Sequence, residues 1–400
     1  MVQIILKPGK EAAVKRYHPW IFSGAIQSMD APPGDGDMVT VLSSKKEFLA
    51  LGHYFTGSIA VKIFSFQDVK VNDAFWKSKL HNAFLLRRRL DLTDNPLTNA
   101  YRLVFSEGDG LPGLVIDFYN GVAVIQSHSG GMHALAPVFA EGLKEIYGNR
   151  LKAVYDKSSE TLAKSHNYQA TKPSEPLSTD QYLFGSSQSG NILEAGNAFI
   201  VDWERGQKTG FFLDQRNNRL FSKFFARDKR VLNLFCYSGA FSVYALKGGA
   251  KFVCSIDSSK PAIELTEENI RINGFDSQLH LSLNMDVKKY LNESGDKFDM
   301  VILDPPAFAK SHSITNNALH AYIHINAAAI RKLSPGGIML TFSCSQAISR
   351  DMFLSAILSA SLETGRNVRL LHHLSQAPDH PVSIYHPESS YLKGFVLTVD

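Results

Sequence analysis

The sequence of 400 residues predicts an α/β protein in which a doubly wound parallel sheet follows two smaller segments. Three observations predict this class. From Val231 onward, apolar runs of strand length alternate with helical patterns, which is typical of a parallel sheet covered by helices. Residues 1–75 contain β-prone runs separated by turn residues, and residues 76–195 mix strand and helix patterns. We therefore expect three domains, at 1–75, 76–195 and 196–400.

The elements of the first two domains are identified from composition and period. Runs rich in β-branched and aromatic residues, bounded by turn residues, predict strands. These strands are Met38–Leu42, Phe48–Leu51, Ala60–Phe64, Arg102–Phe105, Leu114–Phe118, Val122–Ser127, Lys152–Tyr155 and Asn197–Asp202. Apolar residues three and four apart predict helices at Phe75–Leu92 and Met132–Ile146. The polar segment Ser158–Gln188 contains prolines and is predicted to be a loop.

The C-terminal domain is predicted as a regular succession of strands and helices. Its strands are Val231–Phe235, Phe252–Asp257, Leu279–Asn284, Met300–Leu303 and Ile338–Phe342. Its helices are Ala240–Lys247, Lys260–Asn273 and Leu319–Leu333. In the usual strand order of such a fold the fourth and fifth strands are neighbours. We therefore expect Asp304 and Cys344, which follow them, to lie close together.

Composition and charge exclude several classes of protein. The chain is 44% hydrophobic and 20% charged, which excludes disordered, collagen-like and coiled-coil proteins. A net charge of +4 permits a polyanionic partner without requiring one. No apolar run approaches the ~18 residues of a membrane span, and the stretch Ile4–Leu6 is too short for a signal peptide. We therefore expect a cytoplasmic protein without a membrane partner.

The cysteine pattern argues against a disulfide scaffold and against a structural zinc site. Cys236, Cys254 and Cys344 are odd in number, lie far apart and form no Cys-x-x-Cys pair. We therefore expect no metal. Cys254 lies within a predicted buried strand and Cys236 in the turn after the first strand, so both are interpreted as packing residues. Cys344 follows the fifth strand between polar neighbours and is the candidate for a chemically active thiol.

Polar residues at the ends of the C-terminal strands predict a nucleoside site. The first turn lacks Gly-x-Gly-x-x-Gly, which counts against a dehydrogenase, whereas Gly239 permits close approach of a ligand. Asp257 and Asp286 end the next two strands, where carboxylates can bind ribose hydroxyls and an adenine amino group, although each is also typical of a helix N-cap. Together they favour S-adenosylmethionine. The predicted cofactor-binding residues are Asp214, Gln215, Arg216, Asn233, Phe235, Tyr237, Ser238, Gly239, Asp257, Ser258, Asp286 and Asp304.

The run Asp304-Pro-Pro-Ala-Phe308 follows the fourth strand and predicts a site for a flat base. The prolines make a rigid loop, the aromatic ring can stack on the base and the acid can bind its edge. The predicted substrate-binding residues are Pro305, Pro306, Phe308 and Lys310. Cys344 and Asp304 are the predicted catalytic residues. A thiolate that attacks carbon 6 of cytosine activates carbon 5 for methylation, while the acid stabilises charge on the ring nitrogen.

These stretches resemble the bacterial 23S rRNA (cytosine-C5) methyltransferases of the large-subunit methyltransferase I type. The most specific pieces are Gly206–Arg219, Asn233–Gly239, Asp304–Phe308, Ser343–Ser345, Gln376–Pro381 and Pro387–Gly394. The resemblance implies a Rossmann-like class I methyltransferase domain, an RNA-binding PUA domain at 1–75 and a central domain that binds RNA substrate. It implies 23S rRNA as partner, S-adenosylmethionine as cofactor and Cys344 as nucleophile. Many wider relatives carry a second Cys where this chain has Pro306.

Three alternatives stay open from the sequence. An RNA N-methyltransferase also uses an Asp-Pro-Pro-Phe type of motif but needs no thiol, so Cys344 distinguishes the two. A non-catalytic RNA-binding protein of the same fold would not need the acids, the glycine and the thiol. A dehydrogenase is disfavoured by the missing glycine pattern. A homodimer is neither predicted nor excluded.

Overall fold

The computed structural model of this chain describes residues 1–163, 180–188, 190–308 and 315–400. The chain divides into two compact units, each built from segments that are distant in sequence. The first unit comprises Met1–Ile192, Val201–Phe211 and Pro378–Ser389. The second comprises Leu193–Ile200, Phe212–Ala377 and Ser390–Asp400.

The first unit begins with a six-stranded sheet. Its strands are β1 (Val2–Leu6), β2 (Trp20–Phe22), β3 (Ile26–Met29), β4 (Met38–Leu42), β5 (Phe48–Tyr54) and β6 (Ile59–Ser65), in the order β2-β6-β5-β4-β1-β3. A short helix, Ala12–Lys15, follows β1. Alternate residues such as Ile4, Val39 and Val61 are buried and form the core of this sheet. The three predicted strands of this segment are confirmed.

A five-stranded sheet forms the rest of the first unit. Its strands are β7 (Ala100–Phe105), β8 (Leu114–Tyr119), β9 (Val122–Ser127), β10 (Ala153–Asp156) and β11 (Gln181–Gly185), in the order β11-β10-β9-β8-β7. Its helices are Asp73–Arg89, Gly130–Ala134, Ala136–Tyr147 and Ser159–Ala163. The helix Asp73–Arg89 begins where the Asn72 side chain accepts a hydrogen bond from Phe75 N, 3.1 Å away.

Two predictions in this region are wrong. The single helix expected at Met132–Ile146 is divided at Leu135, because Pro137 has no N–H to continue the first helix and instead occupies the first turn of the next. The loop expected at Ser158–Gln188 contains the helix Ser159–Ala163 and strand β11. β11 is an edge strand whose pairing with β10 is a long-range contact that no local pattern signals. Residues 164–179 of that segment lie outside the described residues.

The second unit contains a seven-stranded sheet. Its strands are β14 (Arg230–Leu234), β15 (Phe252–Asp257), β16 (His280–Asn284), β17 (Phe298–Leu303), β18 (Leu333–Ser343), β19 (Val368–Leu374) and β20 (Lys393–Val399). Two earlier strands, β12 (Gly190–Glu194) and β13 (Asn197–Val201), pair separately. The helices are Arg216–Ser222, Ala240–Lys247, Lys260–Ile272, Val287–Glu293, Thr315–Lys332 and Arg350–Thr364.

The strand order β16-β15-β14-β17-β18-β20-β19 confirms the predicted doubly wound α/β sheet. The strands from β16 to β18 are parallel, whereas β20 runs antiparallel between β18 and β19. The chain turns from one side of β14 to the other between β16 and β17. Open sheets of this kind bind ligands at such a reversal, outside the carboxyl ends of the strands.

The core of the second unit lies between this sheet and its helices. Leu232, Val301 and Met339 on three neighbouring strands are fully buried, and Tyr322 of the helix Thr315–Lys332 packs with them. These apolar side chains fix the strands, so the strand ends present their polar residues along one edge. Among the described residues, none of the helices has the length and apolar character that crossing a bilayer requires.

Candidate active site

The turn after β14 has an unusual backbone. Phe235, Tyr237 and Gly239 adopt positive φ angles of 58°, 45° and 68° within five residues. Non-glycine residues hold such angles only where their surroundings fix them. Thr266 provides one such restraint, because its hydroxyl donates to Tyr237 O at 2.9 Å. A Cβ on residue 239 would lie 2.5 Å from Thr266 Cγ2, so only glycine fits there.

Asp257 links this turn to the end of β15. Its carboxylate accepts hydrogen bonds from Tyr237 N at 3.0 Å and from Ser259 N at 2.9 Å. Asn269 adds a further restraint by donating to Ser238 O at 2.8 Å. The carboxylate is half-buried, and Ser258 beside it is exposed. The structure therefore brings Tyr237, Ser238, Gly239, Asp257 and Ser258 together at the carboxyl ends of β14 and β15.

Two predicted cofactor-binding residues have structural partners. Asp286 is exposed and forms the N-cap of the helix Val287–Glu293, with Oδ1 accepting from Lys289 N at 2.9 Å. Asn233 is buried, and its amide donates to Ser242 Oγ at 2.8 Å, within the core rather than at the strand ends. Asp286 thus keeps a solvent-facing carboxylate at the sheet edge, whereas the side chain of Asn233 does not reach it.

Gln215 joins the segment before the sheet to Asp304. Its amide nitrogen donates to Asp304 Oδ2 at 2.9 Å. The amide oxygen accepts from Asn218 Nδ2 at 2.6 Å, which fixes the direction of the amide and aims its N–H group at the carboxylate. Gln215 is 3% exposed, so this hydrogen bond is protected from water. The side chain holds Asp304 in one orientation.

The neighbours of Gln215 are also held in place. Asp214 Oδ2 accepts a hydrogen bond from the hydroxyl of Tyr391, and Asp214 O accepts from Ala377 N at 2.9 Å. Arg216 is buried, with Nε 3.7 Å from a carboxylate oxygen of Glu194. The structure therefore places Arg216 in a buried ion cluster, and Asp214 beside the chain that leads into β20.

Glu194 is the centre of that ion cluster. Its carboxylate is fully buried and accepts from Nε and Nη2 of Arg219, each at 2.7 Å. Arg219 also donates to Phe212 O at 2.9 Å, and the hydroxyl of Tyr244 donates to Glu194 O at 3.0 Å. Paired, bidentate charges of this kind are rigid. The cluster therefore fixes the backbone at both ends of the segment that carries Asp214, Gln215 and Arg216.

The Asp-Pro-Pro turn follows β17. Asp304 is half-buried, Pro305 is buried and Pro306 is exposed. Phe308 is half-buried, and its ring packs against Tyr322 with centroids 4.8 Å apart at 59°. Pro305 is thus the one buried residue among these four, and Asp304, Pro306 and Phe308 are at least partly accessible. Lys310, also predicted to bind substrate, lies outside the described residues.

Cys344 lies beside this turn. β17 and β18 are neighbours, as predicted, with Leu303 opposite Thr341. The Sγ atom of Cys344 is 4.0 Å from Pro305 O, and the side chain is half-buried. The thiol and the residue after Asp304 are therefore in contact at the ends of two adjacent strands. A thiol and a carboxyl group at neighbouring strand ends are the two kinds of group that nucleophilic addition to a ring and proton transfer to it require.

Comparison with known proteins identifies the family. A model for S-adenosylmethionine-dependent methyltransferases matches residues 151–388, and one for PUA-like domains matches residues 4–66. Ribosomal RNA large subunit methyltransferase I of Alteromonas mediterranea is 38% identical over 99% of this chain and 98% of its own. The Vibrio campbellii protein of the same name is 37% identical over 99% of each. The chain belongs to the ribosomal RNA large subunit methyltransferase I family.

Solved structures show the same fold for this methyltransferase. A candidate S-adenosylmethionine-dependent methyltransferase from Streptococcus mutans covers 100% of both chains with a TM-score of 0.84 and 23% identity. SMU.776, a candidate methyltransferase crystallised with S-adenosylhomocysteine, has a TM-score of 0.85, also at 23% identity and 100% coverage. At this identity the likeness shows the fold alone.

The residues of this methyltransferase fit S-adenosylmethionine, the cofactor of its family. The ribose hydroxyls need acceptors, and the Asp257 carboxylate uses only part of its acceptor capacity on two backbone N–H groups. In the turn before Gly239, Phe235 and Tyr237 are half-buried, whereas Ser238 and Gly239 are buried, so Phe235 and Tyr237 are the parts open to a nucleoside. Across the parts of the chain that the structure describes, no three His, Cys, Asp or Glu side chains group as metal ligands do.

The other two cysteines of the methyltransferase are in unreactive surroundings. Burial raises the pKa of the Cys236 thiol to about 12 and that of Cys254 to about 11. Because the thiolate is the nucleophilic form, neither side chain is available for attack at neutral pH. Cys254 packs in the core of the sheet, as the sequence predicts.

Sequence reasoning missed two residues next to Cys344. Lys393 is 5% exposed, and its Nζ atom donates to Ser345 O at 2.6 Å. Tyr322 is fully buried, and its hydroxyl bonds to Ser343 Oγ at 2.9 Å and to Ser345 Oγ at 3.0 Å. One signal was present in the sequence. Lys393 is the only charged residue in the otherwise apolar run of β20.

Proposed function

We propose that this methyltransferase forms 5-methylcytosine in 23S ribosomal RNA through a transient bond between Cys344 and carbon 6 of the base. The observation that carries the proposal is the contact between the Cys344 thiol and the Asp304-Pro305 turn. The curated relatives are named as methyltransferases of large-subunit ribosomal RNA, which supports this substrate. An enzyme of ribosomal RNA is expected in the cytoplasm.

The first step is addition of the Cys344 thiolate to the ring. Carbon 5 of cytosine is a weak nucleophile until an electron pair is pushed into the ring at carbon 6. The new S–C bond breaks the carbon 5–carbon 6 double bond, and negative charge develops toward the ring nitrogen. Asp304, oriented by Gln215, acts here in its protonated form: its carboxyl O–H donates to that nitrogen and stabilises the charge.

Methyl transfer and release complete the reaction. S-adenosylmethionine supplies an electrophilic methyl group when bound. Carbon 5 would take that methyl group, leaving S-adenosylhomocysteine. Carbon 5 would then lose its proton as the bond between carbon 6 and the Cys344 sulfur breaks, so that the double bond returns and Cys344 leaves as a thiolate. Pro306 has no group that accepts a proton, so another base or water takes the carbon 5 proton. Pro306 and Phe308 bound the space for the base.

We assign cofactor binding to the strand-end residues of the second unit. Asp257 binds the ribose hydroxyls, and Asp286 offers its exposed carboxylate to the adenine amino group. The turn from Phe235 to Gly239 contacts the nucleoside, and Asp214 and Gln215 contribute from the segment before the sheet. Asn233 and Arg216 support these elements through their buried partners. Residues 1–75 and 76–195 bind the RNA.

Trapping with a modified base tests the proposal. RNA containing 5-fluorocytosine cannot release a proton from carbon 5, so the wild-type chain should form a stable covalent complex that maps to Cys344. Cys344→Ala should form none and transfer no methyl group, while its affinity for S-adenosylmethionine stays near normal. Cys254→Ala is the matched control and should retain both, with at most a small loss of stability.

Two outcomes would overturn the proposal. One is methylation by Cys344→Ala at the wild-type rate, and the other is an adduct that maps to Cys236. In either case, product analysis should then look for methylation on a ring or exocyclic nitrogen, which the Asp-Pro-Pro-Phe type of turn also suits. Mapping the modified nucleotide in RNA from cells with and without the gene identifies the substrate position.

A further inference from the structure

Lys393 lies at the strand end that carries Cys344. It begins β20 and lies opposite Ser343 in the antiparallel pairing of β18 and β20. Its Nζ atom nevertheless donates to Ser345 O, two residues farther along, at 2.6 Å. The lysine side chain therefore spans the backbone from Ser343 to Ser345, the stretch that carries Cys344. Only 5% of the lysine is exposed.

The charge of this lysine lacks a carboxylate partner. A buried ammonium group is costly unless an opposite charge compensates it. Within the described part of the chain, Lys393 makes no ion pair with Asp or Glu. The charged groups that act on it are Arg350, which repels it, and Cys344, which attracts it when ionised. Burial lowers the pKa of Lys393 to about 8.

The surroundings of the thiol are rigid. The fully buried hydroxyl of Tyr322 bridges the side chains of Ser343 and Ser345, at 2.9 Å and 3.0 Å, on either side of Cys344. Burial raises the pKa of Tyr322, so its hydroxyl stays neutral and does not supply a negative charge to balance that of Lys393. Among the residues that the structure describes, the thiolate of Cys344 is thus the anionic state that offsets the charge of Lys393.

We propose that Lys393 is a positioning residue that holds Cys344 as a thiolate before the base arrives. The Sγ proton passes to water, so the S–H bond breaks as an O–H bond forms, and the resulting thiolate is stabilised by the ammonium group that Lys393 already carries. The use of this thiolate on a cytosine rests on the function proposed above, whereas the ion pair itself does not.

Thiol alkylation in the absence of RNA tests the ion pair. The rate of Cys344 modification by iodoacetamide is followed against pH in the full chain by peptide mass spectrometry, with Cys344→Ala as the blank. Lys393→Met should move the midpoint of the profile upward by one pH unit or more, which slows alkylation at pH 7 by roughly tenfold. Lys393→Arg keeps the charge and should retain most of the wild-type rate.

The outcomes separate the two proposals. If the profiles of Lys393→Met and Lys393→Gln overlay that of the wild type, the inference about Lys393 is wrong, while Cys344 can still be the nucleophile. If Cys344→Ala methylates RNA normally, the function proposed above fails, whatever the alkylation shows. The difference in absorbance near 240 nm between the wild type and Cys344→Ala measures the fraction of Cys344 that is ionised. This measurement leaves Lys393 unchanged. The absence of that difference at pH 7 would also refute the inference.

Discussion

Replacing Glu194 with Gln should severely destabilise the second unit. Glu194→Gln keeps the shape of the side chain but removes the charge that two buried N–H groups of Arg219 contact at 2.7 Å each. Arg219 is 2% exposed, so its guanidinium cannot recover the loss by turning to water. Arg216, with Nε 3.7 Å from the same carboxylate, also loses the attraction of that charge.

The size of the effect follows from this burial. Breaking a buried ion pair by removing one partner costs about 3–5 kcal/mol. For a domain of 150–250 residues this lowers the melting temperature by roughly 6–20 °C. Because Arg219 also holds Phe212 O at 2.9 Å, the segment carrying Asp214 and Gln215 should loosen, and affinity for S-adenosylmethionine should fall.

Urea denaturation and calorimetric titration of the cofactor measure the two effects. Glu264→Gln is the matched control, because the same change there breaks an exposed pair with Lys260 at 3.7 Å and should cost less than about 0.5 kcal/mol. The double variant Glu194→Leu, Arg219→Leu removes both charges and should be more stable than Glu194→Gln. If Glu194→Gln lowers the free energy of unfolding by less than about 1 kcal/mol, the reasoning is wrong, because leaving a buried charge without its partner should destabilise the fold more than that.

Further predictions concern the cofactor turn and the buried lysine. Gly239→Ala places a Cβ atom 2.5 Å from Thr266 Cγ2 and strains a positive φ angle, so it should lower stability and cofactor affinity. Gly274→Ala is the control, because its φ angle is also positive but its surroundings are open, and it should lose less stability in denaturation curves. Asp257→Ala should weaken cofactor binding by about 1.5–3 kcal/mol in calorimetry, and unchanged affinity would assign the ribose to another residue. Burial lowers the pKa of Lys393 to about 8, whereas a lysine in the unfolded chain has a pKa of roughly 10.5. Between these two pH values the unfolded chain binds more protons than the folded one, so the free energy of unfolding should rise with pH, by up to about 3 kcal/mol. In a Cys344→Ala background, where no thiol titrates, Lys393→Met should abolish that rise in urea denaturation.

Local patterns located the strands of both units well. Met38–Leu42, Val122–Ser127 and Phe252–Asp257 have the predicted bounds, because runs of β-branched residues end there at turn residues. The contact between Cys344 and the Asp304 turn was also predictable, since it depends only on the usual order of the fourth and fifth strands. The three-domain division stays a prediction.

Long-range pairing explains most of what the sequence did not reveal. The segment Pro378–Ser389 belongs to the first unit although its flanks belong to the second, and there Asp379 accepts from Arg102 N at 2.9 Å. No spacing signals a contact between residues so far apart. Lys393 was missed for the same reason, because its role arises from the pairing of β20 with β18.

The direction in which side chains point was the second feature that the sequence did not reveal. Asn233 and Arg216 occupy predicted positions, yet their polar groups find partners inside the unit. A strand-end residue can turn its side chain to either face of the sheet, and only the packing around it decides which. Asp286 shows the intermediate case, where one carboxylate oxygen caps a helix and the group stays exposed.

The position of β20 sets an order of assembly for the catalytic sheet. β20 lies between β18 and β19, although it follows both in the chain. β19 therefore has no neighbouring strand to pair with until β20 has inserted, and a chain folded only as far as β18 ends in an open edge. Lys393 is the first residue of β20, so it takes its place only when that strand pairs. With Lys393 in the role proposed above, a sheet that still lacks β20 holds the thiol of Cys344 without the ammonium group, so that thiol should react roughly tenfold more slowly at pH 7 until the strand has paired.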